Sequence, residues 1–189
     1  WAISGGLMWM YNSCWPAVDW SIVDYYLRPK AAYYYTKRAC APVLVSFKPV
    51  EDAVRIYLTS DERQRPLVGE LQVGIYTFGA CDFNVQSMPV ELQPNSSRAV
   101  WESMPLSDLF DEPARQCLIT FLNSGDATVS KNVYFPLTFA EMKFPQPKLL
   151  VSRDQVDERR HRMVVSSDDY ARSVALGNLP AAARPSASR

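Results

Sequence analysis

The sequence of 189 residues holds one histidine, His161, inside the arginine-rich run Arg159-Arg160-His161-Arg162. A single imidazole removes most Ser-His-Asp and Cys-His nucleophile schemes, and multi-histidine metal sites with them. In that run it reads as solvated surface. The four cysteines, Cys14, Cys40, Cys81 and Cys117, show no Cys-x-x-Cys spacing, so no zinc site is expected. They allow three pairings, and Cys117, on an apolar stretch, reads as a buried thiol. Carboxylates occur as adjacent pairs, Glu51-Asp52, Asp61-Glu62, Asp111-Glu112 and Asp168-Asp169. All four pairs sit among turn-forming residues and read as solvated. Asn95-Ser96-Ser97 fits the acceptor pattern for N-glycosylation. No residue set in the chain predicts a metal or a cofactor.

The aromatic residues are the unevenly placed ones. Trp1, Trp9, Trp15 and Trp20 are four of the five tryptophans. Together with Tyr11, Tyr25, Tyr26, Tyr33, Tyr34 and Tyr35 they precede Ala41, whereas every phenylalanine lies from Phe47 onward. This change of texture sets a boundary at Ala41-Pro42. Lys+Arg and Asp+Glu both number 20, and such neutrality argues against a nucleic-acid partner. With 48% hydrophobic and 21% charged residues the balance is that of a globular protein, not of a disordered or disulfide-scaffold chain. No apolar run approaches the ~18 residues of a membrane-spanning helix. The opening residues show no basic, apolar and small-residue succession of a leader peptide.

Before the boundary the order reads strand, loop, helix. Residues 5–10 (GGLMWM) are apolar, glycine-led and too short for a helix, which predicts a buried strand. Asn12, Ser13 and Pro16 mark a loop. Pro29 is expected at the first helical position, with the helix over 30–40, basic residues in its last turns and Pro42 as its stop. After the boundary come short apolar runs at 43–47, 54–58, around Leu71, Val73 and Ile75, and at 83–86, 98–104, 116–122 and 132–135. In the sixth of these, Cys117, Ile119 and Phe121 share a face. Turn formers separate them at Lys48-Pro49, Ser60-Asp61, 93–95 and 123–125, and residues 106–110 suit a helical turn. Seven short strands over about 95 residues predict an immunoglobulin-like β-sandwich. The mixed-charge run 153–162 is expected to be a solvated linker or turn face, 163–165 and 172–176 to be further strands, and 180–189 (PAAARPSASR) to be disordered.

The first segment carries a resemblance. Gly5-Gly6-Leu7-Met8-Trp9-Met10-Tyr11-Asn12-Ser13-Cys14-Trp15-Pro16, then Trp20-Ser21, Asp24-Tyr25-Tyr26, Pro29-Lys30 and Tyr33-Tyr34-Tyr35, closely resembles one region of glycoside hydrolase family 2, nearest its β-mannosidases and exo-β-glucosaminidases. In that family such a stretch is the last strand, loop and helix of the (β/α)8 catalytic barrel. Residues 132–135 (NVYF) through 144–148 (FPQPK) are similar to the end of the sandwich in β-mannosidases. The resemblance implies a mainly β chain, an immunoglobulin-like β-sandwich preceded by the last strand-loop-helix unit of a (β/α)8 barrel. The divisions expected are 1–40 for the barrel unit, 41–147 for the sandwich, 148–179 for the start of a further β domain or edge strands, and 180–189 for the tail.

The same resemblance implies an exo-acting retaining β-glycosidase whose two catalytic glutamates lie upstream, so that no catalytic residue falls within this chain. Trp9 is implied as a wall of the sugar subsite, since an indole face suits the C–H surface of a pyranose while its N–H donates a hydrogen bond. Asn12 is implied as a polar neighbour at the same mouth, and Trp15 as lining the approach. Each has a structural alternative: core or seam packing for Trp9, Trp15, Trp20 and the tyrosine run, and a turn role for Asn12. Many β-mannosidases carry Gln and Leu after that tryptophan and Asp after the asparagine, where this chain has Met10, Tyr11 and Ser13. Met10 resembles the exo-glucosaminidase branch. The expected partners are a terminal β-linked sugar and the rest of the parent chain, with neither nucleic acid nor membrane. A free-standing carbohydrate-binding or protein-interaction module is the alternative of a different class, and the first 40 residues argue against it.

Overall fold

The structure is a computed structural model, and it describes residues 6–80, 82–157 and 160–174. Trp1, Cys81 and the expected tail 180–189 lie outside the described residues. The order of elements is α1 (Ala31–Ala39), β1 (Val43–Val50), β2 (Ala53–Ser60), β3 (Leu67–Thr77), β4 (Asp82–Leu92), β5 (Ser96–Glu102), α2 (Leu106–Leu109), β6 (Gln116–Ser124), β7 (Ala127–Tyr134), β8 (Leu149–Gln155) and β9 (His161–Ser167).

The first seven strands form two antiparallel sheets, β1-β2-β5 and β4-β3-β6-β7. Alternation along each strand puts one face of each sheet inward. Val45, Val54, Ile56 and Leu58 from one sheet meet Leu71, Val73, Val90, Leu92, Leu118 and Leu122 from the other, and Phe110, just after α2, joins them. This is the two-sheet sandwich of an immunoglobulin-like domain. Its fourth strand pairs with β3 and not with β5, giving three strands against four. Side chains stitch one open edge, where Val45 N–H donates to Ser130 Oγ (3.0 Å) and Asn132 Nδ2 donates to the Val45 carbonyl (2.9 Å).

Lys48-Pro49 is not the expected turn. Both residues lie in β1, which tolerates proline because it is an edge strand. The chain turns instead at Glu51-Asp52, with Glu51 at φ 51°. Gly69 of β3 is required by a close approach, since a Cβ there would sit 2.2 Å from the Asn123 carbonyl oxygen.

Cys117, Ile119 and Phe121 do share a face of β6, but it is the outer one; the main core takes Leu118, Thr120 and Leu122. A second cluster covers that outer face. Phe78, Cys117 and Met142 are buried there, with Phe135, Phe144 and Tyr170 packed on them. Tyr170 stacks on Phe78 at 5.3 Å between ring centroids. The expected solvation of Asp168-Asp169 is corrected at its second member. Asp169 is half-buried and accepts the Tyr76 hydroxyl proton at 2.9 Å.

Beyond the sandwich, β8 and β9 pair with each other as a two-stranded hairpin whose apolar side chains stay largely exposed. The run 153–162 is thus no linker throughout, because 153–155 belong to β8 and His161-Arg162 to β9. Of the expected strand 172–176, residues 172–174 are irregular and the remainder lies outside the described residues.

Candidate functional site

The sequence places the candidate site in residues 6–30, and backbone bonds, not a sheet, hold that segment. The expected strand at 5–10 does not form over its described residues. Residues 6–10 have no strand running beside them, and a strand exists only through its partners. The chain is instead woven at one point. Ile22 N–H donates to the Met10 and Tyr11 carbonyls (3.2 Å each), Val23 N–H to the Tyr11 carbonyl (2.9 Å), and Ser13 N–H to the Val23 carbonyl (3.1 Å). Single bridges join Asn12 to Val23 in parallel and Val23 to Pro29 in antiparallel sense. Pro29 is therefore not the first helical position. Lys30 N–H donates to the Ile22 carbonyl at 3.0 Å, which keeps Lys30 extended as the N-cap, and α1 starts at Ala31.

Trp9 stands just before the weave, 79% exposed, and the peptide bond that follows it is cis. Asn12 lies in the weave with its side chain outward. Trp15 and Trp20, 77% and 71% exposed, lie on the loop that leaves at Ser13 and returns at Ser21. The three sequence-chosen residues Trp9, Asn12 and Trp15 thus belong to one loop system. Among the described residues no ring contact joins Trp9 to Trp15.

The polar groups that shape this loop form no motif in the sequence. Ser13 and Ser21 are buried, 3% and 2% exposed, with hydroxyl oxygens 2.6 Å apart. Lys30 Nζ donates to Asp19 Oδ1 (2.8 Å), to the Asp19 carbonyl (3.2 Å) and to Ser21 Oγ (2.8 Å). Asp19 Oδ1 also accepts the Ser21 N–H at 2.9 Å. The Lys30 bond first, and then the serine bonds, hold the Asp19 carboxyl well below the usual carboxylate range. The only signal in the sequence was a lysine directly after a proline at a helix start.

Helix α1 ties this segment to the sandwich. Tyr35 Oη lies 2.7 Å from Ser173 Oγ, Arg38 sits over the Tyr35 ring at 4.5 Å, and Arg172 sits over Phe139 at 3.7 Å. Among the described residues no group of three or more His, Cys, Asp or Glu is arranged to hold a metal, and no helix is long and apolar enough to cross a membrane.

Residues 52–139 match the family model of the mannosidase Ig/CBM-like domain. The β-mannosidase B of Thermothelomyces thermophilus is 61% identical over 41 residues, and that of Aspergillus niger 52% over 44. The solved β-D-mannosidase of Dictyoglomus thermophilum superposes with a TM-score of 0.75 over 88% of this chain at 26% identity. Over these stretches the chain is similar to β-mannosidases. The matches span 22% and 23% of this chain but only 5% of either fungal relative, and the superposition covers 20% of the solved enzyme. The fold expectation of a mainly β chain with an immunoglobulin-like sandwich holds for it.

Proposed function

We propose that this chain is part of an exo-acting retaining β-glycosidase that hydrolyses a terminal β-linked sugar, a β-mannoside in the first place. In this reading residues 1–40 are the last unit of a (β/α)8 barrel, 41–147 its immunoglobulin-like sandwich and 148–179 the start of a further β domain. The two carboxyl groups that such chemistry needs, ~5–5.5 Å apart, come from upstream barrel strands. One attacks the anomeric carbon while the other protonates the leaving oxygen, and water then releases the sugar with retention. The chain contributes walls: Trp9 stacks on the sugar face, Asn12 bonds a hydroxyl, and Trp15 lines the approach.

The observation that carries the reading is Trp9, with most of its surface exposed immediately before a rigidly woven backbone. An indole face left open at that place suits stacking on the C–H surface of a pyranose. In the full-length protein that contains this sequence, Trp9→Ala is expected to lower kcat/KM on an aryl β-mannoside at least tenfold, about 1.4 kcal/mol of transition-state binding. An unchanged value overturns the reading. The chain by itself is expected to turn over no aryl β-glycoside. Met10 favours a second reading within the same family, an exo-β-glucosaminidase. A panel of aryl β-mannoside against aryl β-glucosaminide on the full-length protein decides between them.

A further inference from the structure

Among the described residues the loop that carries Trp15 and Trp20 packs almost nothing into the core, and hydrogen bonds are what shape it there. Of the apolar side chains in residues 6–40, only Ile22 and Val23 are buried. What closes the loop is its foot, and there one side chain makes three bonds. The Lys30 ammonium has three protons, and its three partners are the Asp19 carboxylate, the Asp19 carbonyl and the Ser21 hydroxyl. The Lys30 backbone N–H grips the same segment from its other end, at the Ile22 carbonyl. Ile22 in turn donates to Met10 and Tyr11, directly after Trp9. One residue thus sets both the foot of the exposed loop and the backbone that directly follows Trp9.

The Ser21–Lys30 distance of 2.8 Å invites comparison with a nucleophile and its base. Two features exclude that. Ser21 is 2% exposed and donates its own proton to the Val23 carbonyl at 2.8 Å, and Lys30 is paired to Asp19. The side chains of Lys30 and Asp19 are 30% and 18% exposed. A pair that wet adds little to global stability, but its directional bonds to Asp19 and Ser21 select one arrangement of the loop.

We propose that Lys30 is a positioning residue for sugar binding: by clasping Asp19 and Ser21 it fixes the loop of Trp15 and Trp20 and the backbone next to Trp9 in the shape that receives the sugar. The proposal rests on the reading of this face as the sugar side. Lys30 touches no substrate; it acts through the loop. Loss of the clasp therefore loosens binding before it slows bond cleavage.

The test uses the full-length protein with Lys30→Met, which keeps the stem and removes the charge, and Lys30→Arg, which keeps the charge. Two readouts are taken: kcat and KM on an aryl β-mannoside, and hydrogen exchange of the amides of residues 21–23 by mass spectrometry. Lys30→Met is expected to raise KM at least tenfold with kcat within threefold, and to speed exchange at 21–23 at least tenfold. Lys30→Arg is expected to recover most of both. Unchanged exchange, or unchanged KM despite faster exchange, overturns the proposal. If Lys30→Met fails to fold, Asp19→Asn decides by the same readouts, because it leaves the lysine bonded to the Asp19 carbonyl and Ser21. Trp9→Ala is run alongside. A Trp9→Ala variant of full activity sinks the sugar-side reading itself, whereas a weakened Trp9→Ala with an unaffected Lys30→Met sinks only the clasp.

Discussion

In the sandwich, Val45, Ile56, Leu58, Leu71 and Leu122 lose all contact with solvent, whereas in residues 6–40 Trp9, Trp15 and Trp20 keep most of theirs. The two regions are held by different forces. Between the sheets the stabilisation is apolar burial, which has no direction and tolerates a change of neighbour if volume is kept. In residues 6–40 it is a weave of backbone bonds and one lysine clasp, where each bond depends on its own geometry. The sandwich therefore folds by its own contacts, while the aromatic segment presents a surface.

Core truncation breaks this contrast most sharply. Leu58 and Leu122 are wholly buried in opposite sheets. Alanine at either is expected to cost about 2–5 kcal/mol, the transfer of the lost methyl groups plus the cavity left behind. Trp20→Ala removes a far larger side chain that is mostly in water, and is expected to change stability by less than about 0.5 kcal/mol. Urea unfolding of the chain reads both. A large loss from Trp20→Ala would mean that the loop is part of the core after all.

The same contrast governs what was legible in the sequence. Alternation located the sandwich strands, because in a two-layer fold the period of 2 is itself the packing signal. It went astray where the outer face is also covered. Cys117 and Ile119 look like a core face and are one, but of the second cluster, whose other members come from residues 76–78 and 133–144 and from Tyr170, on other parts of the chain. Lys48-Pro49 failed as a turn because proline marks an edge strand as readily as a turn, and edge position is a tertiary fact. The candidate-site residues Trp9 and Asn12 follow from a resemblance and not from periodicity. The clasp did not show, since Lys30 lies 11 residues from Asp19 and nothing in either residue type announces the partner.

The second cluster gives the contrast a pH dependence. Burial pushes the Tyr170 hydroxyl from an ordinary 10.0 up to about 12, and the Cys117 thiol from 9.0 up to about 12. Both groups hold their proton more tightly folded than unfolded. Unfolding thus releases protons above pH 9, and stability falls as pH rises from there to about 12, with no contribution from these two below pH 9. Urea midpoints measured from pH 8 to 11.5 are expected to decline, and Tyr170→Phe to flatten the decline while keeping the ring stacked on Phe78. A thiol reagent at pH 8 is expected to reach the exposed Cys14 and Cys40 and to spare Cys117 until unfolding. An equally steep fall in Tyr170→Phe would place the titration elsewhere.

The smallest effect is expected where the two regions meet. Helix α1 has no fully buried side chain, and Tyr35 reaches the far end of the chain through one exposed hydrogen bond to Ser173. Arg172, the residue before, rests on Phe139 at the rim of the second cluster. An exposed cation over an aromatic face contributes about 0.5–1 kcal/mol, and an exposed hydroxyl pair less, because water replaces either partner at little cost. Arg172→Ala is expected to lower stability by that amount and Tyr35→Phe by about half of it or less. The two joints share adjacent residues, so the double variant is expected to lose less than the sum of the single changes. Hydrogen exchange within α1 is the sharper reading, since local opening responds to a weak joint that global unfolding averages away. If exchange in α1 rises in both variants while β2 and β6 stay protected, the helix leans on the sandwich without being part of it. If α1 does not respond, the weave and the clasp at Lys30 hold the segment alone, and the sandwich gives the loop of Trp15 and Trp20 no support through this seam.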